Sequence, residues 1–183
     1  MTRDEALKLV KEKVQNQKLI KHCLAVEAIM KAMAEKLNQD VLNWSLTGLL
    51  HDIDYEETKD KPEEHSLVGG KILEDLGLIK DIVQAVKAHN EIHGLPRESL
   101  MAKVLSAVDP LSGLITASAL ILPSKKLADV QPDSILKRFK EPRFAAGANR
   151  QAIQSIEAIG LTLEQFITVS LKAMQEISND LGL

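Results

Sequence analysis

The chain has one cysteine, Cys23, in 183 residues. A single thiol can form no internal disulfide and no thiolate zinc cluster, and it suits a reducing compartment. Aromatic residues make up only 3% of the sequence, too few for a strand-rich sandwich or a base-stacking RNA platform. Positive charge is not in excess: 23 Lys and Arg stand against 26 Asp and Glu, a net charge of -3. That gives no electrostatic case for long nucleic acid, although a few local cations can hold a small anion. Long apolar runs are missing too. The opening MTRDEALKLVKEKVQ is charged and amphipathic, unlike a signal peptide. The most apolar later run, Gly113–Leu122, is short and broken by Thr116 and Ser118, so it reads as a core helix rather than a membrane span. The expected location is cytoplasmic.

What is present is a globular composition, 45% hydrophobic and 27% charged, over a length that suits one domain spanning 1–183. Apolar spacing is helical almost throughout. Ala6, Leu7, Val10 and Val14 form the inner stripe of a first helix. A second runs from about Gln17 to Leu37 and carries His22. Asp40 is placed as the N-cap of a third, which ends in His51-Asp52. Residues Asp54–Glu64 turn polar and charged around Pro62, which predicts a lid-like loop. His65 is expected to open the next helix, in which Gly69-Gly70 would admit a neighbouring backbone. Ile79–His89 forms another. Ser99 caps a long apolar helix interrupted by Asp109 and Pro110, where a kink is expected. Val130–Lys140, Arg143–Ile159 and Leu161–Leu181 read as three closing helices, and Thr162 with Gln165 makes a capping-box pattern. No alternating run is convincing as a strand. The fold class is all-α, with a core over about 17–120 and closing helices over about 130–183.

The chemistry gathers around Leu46–His65. Trp44, Leu46, Leu49 and Leu50 make an apolar helix that ends in His51-Asp52, and Asp109 interrupts a second apolar helix. Two buried carboxylates each need a neutralising partner, and a divalent cation cluster satisfies both at once. Further ligand-type residues, His22, His65 and His89, fall on or at the ends of other helices. Mixed imidazole and carboxylate ligation favours Fe, Mn, Co, Ni or Zn over Ca, with Mg allowed.

The order His22 … His51-Asp52 … Asp109 resembles the H…HD…D signature of the HD superfamily of metal-dependent phosphohydrolases. HDID at 51–54 resembles the common HDIG form, with Asp54 in place of Gly. His65 and His89 resemble the branch that holds two metals. The resemblance covers about His22 to Asp109. It implies an all-α HD-type domain in which His22, His51, Asp52 and Asp109 hold one divalent metal. Asp52 would bridge to a second, completed by His65 and His89, giving one or two ions per chain. It also implies hydrolysis of a small phosphate ester or anhydride, with a nucleotide as the favoured substrate and Asp52 as catalytic residue orienting the activated water. A di-iron oxygenase on the same ligands, or a silent nucleotide- or metal-binding regulatory module, is the alternative.

Substrate-binding candidates lie outside the signature. Lys59 and Lys61 sit in the lid-like loop, His93 lies four residues after His89, and Lys140, Arg143 and Arg150 lie in the most basic short stretch. The expected partner is a small phosphorylated substrate, with no long nucleic acid and no membrane. A homodimer is left open.

Overall fold

The structure, a computed structural model describing residues 1–183, is helical without strands. Its α-helices are α1 (Arg3–Lys13), α2 (Gln17–Lys36), α3 (Val41–Leu50), α4 (Tyr55–Thr58), α5 (Leu67–Asp75), α6 (Lys80–His89), α7 (Leu100–Leu120), α8 (Pro132–Phe139), α9 (Arg150–Gln154), α10 (Leu163–Glu176) and α11 (Ser178–Leu181). Short 3-10 turns at Glu91–His93, Leu127–Asp129 and Ser155–Ile159 join them.

Side-chain oxygens start the helices that matter most. Asn16 accepts from Lys18 N at α2, Asp40 from Asn43 N at α3, and Ser99 from Ala102 N at α7, each satisfying an otherwise orphaned donor. The Thr162–Gln165 capping box forms at α10, and a second joins Thr2 and Glu5 at α1. The helix α7 is long and apolar enough to cross a bilayer by composition, yet 61% of its apolar window is buried inside the fold. It packs against α2, α6, α8, α9 and α10 and runs without a break through Pro110.

The closest crossing is α2 against α3. A Cβ on Gly48 would lie 2.8 Å from both Glu27 Cα and Val26 O, so only hydrogen fits between the two backbones. Beside it, the buried Glu27 carboxylate accepts from Arg3 and from Ser45 Oγ. This crossing sets α3, and therefore His51-Asp52, against the start of α2.

Four local expectations are corrected. The lid-like loop contains the short helix α4, and His65 precedes α5 rather than opening it, because Ser66 takes a left-handed φ of 72° that blocks earlier helix. Gly69 and Gly70 make room for the side chains of Asp54 and Lys87, not for a backbone. The expected helix over Arg143–Ile159 begins only at Arg150. Residues 143–149 stay in turns because the Arg150 guanidinium gathers their carbonyls, among them those of Phe144, Ala145 and Ala148.

Candidate metal centre

Five segments deliver the predicted ligand residues to one place. His22 projects from the second turn of α2, and His51 and Asp52 end α3. His65 stands in the turn before α5, His89 is the last residue of α6, and Asp109 sits in mid-α7. His51 is fully buried, and Asp52 and His89 are only 6% and 7% exposed.

Asp52 faces two groups at once. Its Oδ2 lies 3.6 Å from His22 Nε2 and 3.5 Å from His51 Nε2. Its Oδ1 lies 3.4 Å from both His65 Nε2 and His89 Nε2. Asp109 Oδ1 joins the first group, 3.1 Å from His22 Nε2 and 3.8 Å from His51 Nε2.

Each imidazole is turned by a hydrogen bond from its far nitrogen. His51 Nδ1 donates to Gly48 O at 2.8 Å and His89 Nδ1 to Val86 O at 2.7 Å. His65 Nδ1 donates to Asp54 Oδ1 at 3.0 Å. His22 Nδ1 donates to Ser112 Oγ at 3.1 Å, and that hydroxyl donates on to Asp109 O. Protons held on all four Nδ1 atoms leave four Nε2 lone pairs aimed inward, as metal-ligating histidines are held. His22 Nε2 and His51 Nε2 are 3.2 Å apart. Two lone pairs at that separation repel unless a proton or a cation lies between them. The donor set therefore fits divalent cation binding, and His22–His51–Asp109 and His51–Asp52–His89 are each close enough together to hold an ion.

Without cations the histidines and carboxylates titrate against each other. Burial would raise the Asp52 pKa, but His51 and the hydrogen bonds from His65 and His89 hold it well below the usual carboxylate range. Burial pulls the His51 pKa down. For His65, burial is outweighed by Asp52 and Asp54, which push its pKa up to about 9. A raised histidine pKa stabilises the fold fully below its ordinary 6.5, and that contribution is lost as pH rises through about 9. Chelator-treated protein is therefore expected to lose thermal stability between these two values. A flat melting temperature over that window would contradict the pairing.

The centre forms the floor of an open cavity of about 670 Å³. Its walls come from Asn16, Lys18 and Leu19 of the α2 start, Tyr55, Asn90 and Glu91, and Gly147, Asn149 and Ala152 of the closing segment. Asn149 caps α9 with its Oδ1 and donates from its Nδ2 to Glu91 at 2.8 Å, tying that segment to the rim. None of the substrate-binding candidates outside the signature lines this cavity. Lys59, Lys61, Lys140 and Arg143 are exposed elsewhere, with Lys61 paired to Glu64. Arg150 is spent on backbone carbonyls, and His93 donates to His65 O at 2.7 Å. The wall residue Lys18 is not distinguished in the sequence from the many other lysines. Its one signal is its place four residues before His22, one helical turn away.

Fold and site together define a helical protein with a buried His/Asp cluster that could hold a divalent metal. The chain belongs to the HD domain family, which matches residues 19–114, just over half its length. Among similar proteins are Ribonuclease Y of Nitratidesulfovibrio vulgaris, 34% identical over 98 residues, and of Oleidesulfovibrio alaskensis, 33% identical over 98. Ribonuclease Y of Lawsonia intracellularis is 31% identical over 97 residues. These matches take in 53–54% of this chain but only 18% of each relative. No solved structure gives a match.

Proposed function

We propose that this protein is a metal-dependent phosphohydrolase acting on a small phosphate ester or anhydride, with a nucleotide as the best-suited substrate. The observation that carries the reading is Asp52, whose two oxygens face two separate histidine groups on the floor of one open cavity. Bound divalent cations supply a water of lowered pKa and offset charge on the phosphoryl and leaving oxygens. His22, His51, His65, His89, Asp52 and Asp109 hold those cations, with Mn, Fe, Co, Ni or Zn the fitting types. Asp52 would also orient the attacking water.

Size and charge favour a small ligand. A cavity of about 670 Å³ is in the range that encloses a mononucleotide-sized molecule. Lys18 is the only Lys or Arg on its walls, whereas a nucleic acid strand is held by several cations along its backbone. Tyr55, half exposed and with its ring edge-on to His65 at 5.1 Å, offers an aromatic face at the rim. The relatives are named as ribonucleases, which favours phosphodiester chemistry; the cavity favours short substrates within that chemistry.

The test is elemental analysis of purified protein, then a panel of phosphomonoesters, nucleotides and a short RNA with the metal restored. Phosphate or nucleotide release, lost on chelation, is the expected result. A metal-loaded protein inert across the panel overturns the proposal. Lys18→Gln is expected to raise KM roughly tenfold, about 1.4 kcal/mol of binding, with kcat little changed. An unchanged KM would remove Lys18 from the phosphate site.

A further inference from the structure

We propose that Asp54 is a positioning residue that selects the metal-binding tautomer of His65 and so sets the affinity of the second cation site. The inference rests on the two-cation reading of the cluster.

Asp54 marks the departure from the HDIG form, and a glycine there has no side chain to offer. In this chain the carboxylate is fully buried and fully engaged. The work is divided between its oxygens. Oδ2 accepts from Ser66 N at 2.8 Å and from Gly69 N at 2.7 Å, which fixes the entry to α5. Oδ1 accepts from His65 Nδ1 at 3.0 Å. Gly69 is part of the same device, because a Cβ there would come within 3.1 Å of the carboxylate. His65 is also held through its main chain, whose carbonyl accepts from Asn90 Nδ2 and His93 Nε2. The other three ligand histidines donate to a carbonyl or a hydroxyl; only His65 donates to a carboxylate. That bond keeps the proton on Nδ1 and the lone pair on Nε2, toward Asp52 Oδ1.

Asp54→Asn separates the two tasks. An amide oxygen in the Oδ2 position still accepts from Ser66 and Gly69, so α5 stays anchored. The amide NH2 then meets His65 Nδ1, and the ring must move its proton to Nε2 to accept from it. A protonated Nε2 cannot bind a cation.

The experiment is titration with Mn2+ by calorimetry, with electron paramagnetic resonance on the loaded protein. Wild type is expected to bind two ions and give the spectrum of a coupled pair. Asp54→Asn is expected to keep one ion at wild-type affinity, bind the second roughly 10–100-fold more weakly and give a mononuclear spectrum. His65→Ala should behave the same way. Leu73→Val, which trims a buried side chain of α5 that makes no hydrogen bond to Asp54, should keep both ions. Two ions at wild-type affinity in Asp54→Asn overturn the proposal, as does equal loss of the second ion in Leu73→Val, since Asp54 would then act only through helix stability. If wild type binds no divalent cation, the metal centre itself is wrong, a result distinct from either.

Discussion

Asp52→Ala is expected to empty the second cation site, weaken the first and abolish hydrolysis while leaving helix content unchanged. Asp52 is the one carboxylate within reach of both histidine groups, through a separate oxygen for each. Alanine leaves the first group with one carboxylate, Asp109, and the second with none. Two imidazoles without a carboxylate make a poor divalent site. The cations are worth several kcal/mol of transition-state stabilisation, so turnover should fall by at least about 10³-fold. The residue lies just beyond the end of α3, so its side chain supports no helical hydrogen bond. Metal content, turnover and circular dichroism together decide the matter. Full metal content or wild-type turnover in this variant would end the phosphohydrolase reading.

The second large effect is on stability. Gly48→Ala forces a methyl group to within 2.8 Å of the α2 backbone at Val26 and Glu27, where no side chain can swing aside. The helices must separate, at a cost of about 3 kcal/mol, which for a chain of this size lowers Tm by roughly 6–12 °C. The same separation moves His51 on α3 away from His22 on α2, so affinity at the first cation site should fall along with stability. Thermal unfolding of chelated protein and Mn2+ titration measure the two effects. A variant that melts with wild type would show that the crossing is looser than described.

The clustering of the candidate ligand residues was legible in the sequence for a physical reason. Several are polar groups at the end or in the middle of an apolar run, as with His51-Asp52 after Leu49-Leu50 and Asp109 within α7. Burial there demands a partner, and the structure brings these groups to one another. The helices were legible for a similar reason, since the apolar stripes and the caps at Asp40, Ser99 and Thr162 act locally. The substrate wall was not legible. Lys18 and Asn149 look like any surface Lys and Asn, and only the folding of α2 and of residues 147–152 around one cavity brings them to its wall. Charge density misdirected attention to Arg150, whose guanidinium is consumed by its own loop. Gly48 reads as an ordinary helix glycine until α2 is laid against it. Asp54 reads as a loop acid, because the donors it serves lie 11 to 15 residues further on.

The hydrogen bond from Asn149 to Glu91 joins two lengths of the chain at the cavity rim. Every candidate ligand residue falls inside 19–114, the stretch matched by the HD family, while one wall of the cavity is supplied from beyond it. The closing segment, packed on α7 and tied to Glu91 through Asn149, thus shapes the cavity from outside the matched stretch, so changes in that segment should alter what the cavity admits without touching the His/Asp cluster.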